Sequence, residues 1–201
     1  FSPCEAEHGL FTSLFSTPEL TSRTGGSAWV AAILRFEAAL ATAQARADLI
    51  PADVAEAIVA GCRPENFDIA SIARRAVGSA TPVVPLVEDL TTKVESPADA
   101  FVHYGATSQD ALDSAAMLIT TEALAVIVED LRAAASDCAR LAEEHRSTLM
   151  IGRTLLQQAT PTTFGRRCAA WLVALTDGIL ELQRIRTERL AVQLGGPTGK
   201  L

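Results

Sequence analysis

Between Gln109 and Ser147 the chain contains neither glycine nor proline, and apolar residues recur at heptad spacing: Met117, Leu124, Leu131 and Cys138, flanked by Leu112, Ile119 and Val126. That pattern predicts one unbroken helix of roughly 55 Å at 1.5 Å per residue. Few globular domains accommodate a helix of this length, so it belongs to an extended bundle. Its halves differ: Asp110, Asp113 and Glu122 are the only charges from 110 to 128, whereas 129 to 146 is dense in charge. The first half is expected to be enclosed, as by neighbouring subunits, and the second to meet water.

The rest of the composition agrees with an all-α protein, since alanine is abundant and aromatic residues make up only 5% of the 201 residues. A net charge of −7 without any long Lys/Arg cluster argues against a nucleic-acid partner. No uncharged apolar run reaches the ~18 residues of a membrane span, and "FSPCEAEHGL" lacks the pattern of a signal peptide. A soluble protein with no membrane partner is expected. Cys4, Cys62, Cys138 and Cys168 form no CxxC pair, so neither a zinc site nor a thioredoxin-type motif is indicated. Cys138 and Cys168 fall on apolar helical faces as buried thiols, which suits a reducing, cytoplasmic setting. No metal or organic cofactor is suggested.

Ahead of the long helix, residues 27 to 49 predict an alanine-rich helix. "IPADVAEAIVAGC" predicts another, with Pro51 at its first position, then "NFDIASIARRAV" capped by Asn66, then a helix resuming after Pro85. "ESPADAFVHYGATS" reads as an irregular crossing. An N-terminal helical domain is therefore expected over 1–106, with the first part of a long-helix bundle over 107–201. A second long helix is predicted from Thr160 as cap and Pro161 as first residue, antiparallel to the first, through Cys168, Leu172, Leu175, Ile179 and Leu182. It ends in "LGGPTGKL". Two long helices leave apolar faces uncovered, so the sequence is either incomplete or an obligate oligomer.

Two polar stretches flank the long helix. In "HYGATSQD", Thr107 and Asp110 make a capping box on the bland reading. On the sharper one, Thr107, Ser108 and the free N–H groups of a helix start seat a carboxylate, with His103 just before them. A lone histidine is more often structural than functional. In "GRTLLQQATPTTFG", Arg153, Thr154, Gln157 and Gln158 either form a plain connector or grip an anion without exchanging protons. The helical rise sets the two stretches about 50 Å apart within one chain. They can share a ligand only if subunits pack with helices antiparallel.

"GATSQD" and "GRTLLQQATPTTFG", in this order and separated by one long helix, resemble the first two signature regions of the fumarase/aspartase superfamily. With "RFEAALATAQARADLIP" and "PVVPLVEDL" earlier, the chain is most similar to the bacterial 3-carboxy-cis,cis-muconate cycloisomerase branch, over nearly its whole length. Adenylosuccinate lyases of the superfamily carry a histidine after GRT, where Leu155 stands here, and another in the segment reading "TPVVPLVEDL". Their absence favours the cycloisomerase branch. The third signature, a serine-containing loop with a nearby lysine, is expected beyond residue 201, so these residues resemble the first domain and opening bundle of a longer enzyme. "LGGPTGKL" resembles a mid-bundle segment of it.

The resemblance implies a cytoplasmic homotetramer acting on a small tricarboxylate, with active sites shared between subunits. A substrate carboxylate adds to the conjugated diene and closes a lactone, the reverse of a β-elimination. Fixed donors aimed at the charge of the resulting carbanion are the main asset. Arg153, Thr154, Gln157 and Gln158 would bind and polarise the substrate, and Thr107 and Ser108 of another subunit would hold a second carboxylate. Ser108 and His103 are the catalytic candidates; His103 either pairs with a carboxylate or supplies the proton. The competing readings are an adenylosuccinate- or argininosuccinate-type lyase, and a non-catalytic helical oligomerisation module.

Overall fold

A computed structural model describes residues 12–200. "FSPCEAEHGL" and its Cys4, read above for targeting and redox setting, lie outside the described residues. Helices dominate: α1 (Thr12–Phe15), α2 (Pro18–Thr24), α3 (Gly26–Arg46), α4 (Ala52–Gly61), α5 (Ile69–Ser79), α6 (Val83–Lys93), α7 (Ser108–Glu144) and α8 (Phe164–Glu188). Short 3-10 turns occupy Pro64–Asn66 and Ala98–Phe101. Strands β1 (Leu149–Thr154) and β2 (Gln157–Thr163) form one antiparallel pair. The all-α expectation holds apart from that hairpin.

The chain divides into two units, one running up to Ala123 and resuming at Leu190, the other spanning Leu124–Arg189. The first unit is built on α3. Val30, Ile33, Leu34, Glu37, Leu40 and Ala41 recur at helical spacing on its buried face. Val54 and Ile58 of α4, Val83, Leu86 and Leu90 of α6, and Ala111, Ala115 and Ile119 of α7 complete the same core. By length and composition α7 also passes as a membrane span. A core helix has the same properties, and the first turns of α7 are packed as one.

Several boundaries differ from expectation for local reasons. Asp68, not Asn66, caps α5, its Oδ1 accepting the Ser71 N–H at 3.0 Å, while Asn66 sits in the preceding 3-10 turn. Pro51 stands just before α4 rather than as its first residue. The helix expected after Pro85 starts at Val83, because a proline in the first turn loses no hydrogen bond. α3 ends at Arg46, before Asp48 takes a left-handed conformation at φ 57°.

In the second unit the expected cap Thr160 and first residue Pro161 lie in β2 instead. A two-stranded ribbon has only edges, so Pro161 costs no ladder bond that matters. The cap of α8 is Thr163, whose Oγ1 accepts the Arg166 N–H at 3.2 Å. Gly165 is forced, since a Cβ there would come within 2.5 Å of the Ala142 carbonyl oxygen.

Candidate active site

At the start of α7, Thr107 accepts the first helical bond through its carbonyl, from Asp110 N–H at 2.9 Å. Asp110 Oδ2 accepts the Thr107 N–H at 3.1 Å in return, which is one half of the capping box. The other half is unmade: among the described residues the hydroxyls of Thr107 and Ser108 have no hydrogen-bond partner. They stand beside first-turn N–H groups that lack intrahelical acceptors, the electropositive end of a long helix. The half-buried hydroxyls of Thr107 and Ser108 are thus uncommitted to other partners among the described residues.

Asp110 does more than cap. It is buried, and its Oδ1 and Oδ2 accept the N–H groups of Gly195 and Gly196, each at 2.9 Å. Ser114, one turn on, exchanges hydrogen bonds with the backbone of Gln193, donating to its carbonyl at 3.1 Å and accepting its N–H at 3.0 Å. Burial alone would raise the Asp110 carboxyl, but the backbone donors Gly195, Thr107 and Gly196 outweigh it and hold the group below the ordinary carboxylate value. "LGGPTGKL" therefore straps the start of α7 within the first unit. Sequence reasoning assigned Asp110 to capping alone and did not find the strap.

His103 precedes this helix start in a left-handed conformation (φ 58°), followed by Gly105 at φ 73°. Its Nδ1 lies 2.6 Å from Oε1 of Glu37, and its side chain is only 16% exposed. Glu37, on α3, is 1% exposed and was not singled out from the sequence. The available signal was a carboxylate inside an otherwise apolar helical stripe. Seven residues further along α3, Gln44 Nε2 donates to the Tyr104 carbonyl at 2.6 Å.

The second stretch, expected as a loop, is a β-hairpin. Arg153 opposes Gln158, and Thr154 opposes Gln157. Directly opposed residues share a face and neighbours alternate, so Arg153 and Gln158 lie on one side and Thr154 and Gln157 on the other. The four groups are two pairs, not one cluster. All four are exposed, and none of their side chains makes a hydrogen bond or ion pair among the described residues. The two-residue turn is Leu155 (φ 45°) and Leu156 (φ 62°), 90% and 99% exposed. Both left-handed angles define a type I′ turn, the form that matches strand twist but ordinarily selects Asn-Gly. The register shifts between Ile151 and Arg153, at Gly152, where a Cβ would meet the Thr160 carbonyl oxygen at 2.6 Å.

Comparison with known proteins identifies the family. Residues 17–201 match the family model described as "Lyase". The chain is 42% identical over 202 residues to a nitrosuccinate lyase of Streptomyces davaonensis, covering 97% of this chain and 42% of that protein. It is 41% identical over 172 residues to a 3-carboxy-cis,cis-muconate cycloisomerase of Bradyrhizobium diazoefficiens, covering 84% and 38%. The solved 3-carboxy-cis,cis-muconate lactonizing enzyme of Pseudomonas putida superposes with a TM-score of 0.90 at 36% identity, over 96% of this chain and 44% of that one. The chain thus spans less than half the length of the relatives it matches. The family match over residues 17–201, together with this sequence and fold similarity over almost the entire chain, places the chain in the fumarase/aspartase superfamily.

Proposed function

We propose that the full-length protein is a cycloisomerase that closes 3-carboxy-cis,cis-muconate to a carboxymuconolactone. In this reaction a substrate carboxylate oxygen forms a C–O bond to a diene carbon. The electron pair passes onto the neighbouring carbon, where the adjoining carboxylate spreads the charge, and that carbon then takes up a proton. The observation that carries the reading is the hairpin: Arg153 with Gln158 and Thr154 with Gln157 present donors that no described residue engages. Such donors stabilise a polyanion and its carbanion without exchanging protons. Leu155, where adenylosuccinate lyases carry a histidine, supports a site with different proton handling.

Thr107 and Ser108 at the start of α7 hold a second carboxylate in this reading. α7 is continuous over 37 residues, about 55 Å at the helical rise, so a tricarboxylate cannot reach from one end to the other. This supports a homotetramer in which one copy supplies the helix start and another the hairpin. The similarity to a nitrosuccinate lyase favours one second reading, a lyase acting on a substituted succinate, which shares the stabilised carbanion and runs in the elimination direction.

Ultraviolet absorbance with 3-carboxy-cis,cis-muconate, nitrosuccinate, adenylosuccinate and argininosuccinate separates these readings. Consumption of carboxymuconate alone is expected; turnover of nitrosuccinate instead would replace the cycloisomerase by the lyase. Gln157→Ala is expected to lower turnover by roughly 10²-fold, the scale of one oxyanion donor. Unchanged kinetics, with the loss falling on Gln158→Ala, would move the substrate to the opposite face of the hairpin.

A further inference from the structure

The geometry points to Glu37 as the positioning residue that fixes the tautomer of His103, so that Nε2 is the ring atom His103 offers to substrate. Glu37 occupies the middle of the buried face of α3, among Ile33, Leu34, Leu40 and Ala41. It is 1% exposed, its Oε1 lies 2.6 Å from His103 Nδ1, and its Oε2 makes no hydrogen bond among the described residues. A buried carboxylate with one oxygen unpartnered is costly, and a leucine would fill the same stripe at no such cost. Stability therefore does not account for the residue, whereas orientation of the histidine does.

An ionised carboxylate oxygen can only accept, so with Glu37 as the carboxylate the short contact puts the ring proton on Nδ1. Nε2 is left as an acceptor in the neutral ring and a donor in the charged one, which is the versatility a proton-handling or carboxylate-pairing group needs. The backbone is fixed by the same helix. Gln44, two helical turns beyond Glu37, donates to the Tyr104 carbonyl at 2.6 Å, and its own Oε1 is buried without a partner. α3 thus grips the loop at consecutive residues, once through the His103 ring and once through the next carbonyl, and so holds a histidine at φ 58°. The role assigned to the Nε2 atom rests on the site described under the proposed function; the tautomer does not.

Two measurements on the full-length protein test this. Histidine-selective 15N and 13C labelling, with His103→Ala to assign the signal, reads the tautomer directly. Nδ1–H is expected in the wild type, and Glu37→Gln is expected to mix the tautomers; a wild-type ring protonated on Nε2 alone would overturn the proposal, even if Glu37→Gln failed to fold. A double-mutant cycle with 3-carboxy-cis,cis-muconate as substrate reads the coupling. Glu37→Gln is expected to lower kcat about 10- to 100-fold, the scale for a partner that orients a histidine, yet less than about 2-fold when added to His103→Ala. Equal losses in both backgrounds would make Glu37 a merely structural residue and refute the positioning role. If carboxymuconate is not a substrate, the proposed function fails while the tautomer measurement still decides the role of Glu37.

Discussion

Replacing Asp110 by asparagine tests whether the start of α7 is held by a charge or by packing. The carboxylate receives three backbone N–H groups, from Thr107 at 3.1 Å and from Gly195 and Gly196 at 2.9 Å each. Asparagine keeps one oxygen. In its better orientation the oxygen replaces Oδ2 and serves Thr107 and Gly196, while its NH2 is turned against the Gly195 N–H. One buried donor left unpaired costs about 1–3 kcal/mol, and the two surviving bonds lose their charge assistance, for a total of about 2–4 kcal/mol. Urea unfolding of the full-length protein should report a loss on this scale, and hydrogen exchange should place it at Gly195 and Gly196. Asp113→Asn is the control, since its carboxylate accepts only from exposed Gln109, and its effect should stay within about 0.5 kcal/mol. Because the folded value of Asp110 is lowered, its contribution is fully present above the ordinary carboxylate range near 3.9 and is lost as pH falls through the folded value. Asp110→Asn should accordingly flatten the loss of stability below about pH 4. If Asp110→Asn cost no more than Asp113→Asn, the glycine strap would be held by something other than the carboxylate.

The hairpin tip gives an opposite sign. Leu155 and Leu156 hold left-handed angles at about 1–2 kcal/mol each and bury almost nothing in the chain, so Leu155→Asn with Leu156→Gly should strengthen the turn by about 1–3 kcal/mol after the added glycine entropy. Hydrogen exchange of the strand amides should slow by about 5- to 150-fold; faster exchange would mean that the leucines bury apolar surface elsewhere in the assembled protein. The Cys62 thiol is pushed up from 9.0 to about 12 by burial and by the charge of Glu37. At pH 8 its thiolate fraction is about 10³-fold below that of a free cysteine, so iodoacetamide should label it only after unfolding. Labelling of the native protein at the rate of a free thiol would contradict the burial. A raised value also means stability that is full below pH 9 and declines as pH rises toward 12.

What could be read from the residues, and what could not, divides along physical lines. α7 was legible because its signal is local: no helix breaker between Gln109 and Ser147, and apolar residues at one spacing. The hairpin was not, because the usual marker of a two-residue turn is Asn-Gly and here two leucines occupy the left-handed positions. The anchors of the site were hidden for another reason. Glu37 and His103 are 66 residues apart and Asp110 and Gly195 are 85 apart, so no window of spacing contains both partners. Partial signals existed, a lone carboxylate in an apolar stripe and two adjacent glycines with bare N–H groups, but each announces an unusual backbone or side chain without naming what it meets.

The same distinction decides what the polar hairpin can do. In the proposed function Arg153, Thr154, Gln157 and Gln158 bind an anion, and as a list they look like one tetrad. Register overrides the list. With Thr154 opposite Gln157 and Arg153 opposite Gln158, side-chain alternation sends the two amides to opposite faces. A single substrate carboxylate can then be gripped by the guanidinium with one amide, or by the hydroxyl with the other, and not by all four. The remaining pair is free to brace the hairpin against whatever covers that face in the complete enzyme. Single substitutions of Gln157 and Gln158 should therefore be unequal in their effect on turnover, however alike the residues look in sequence.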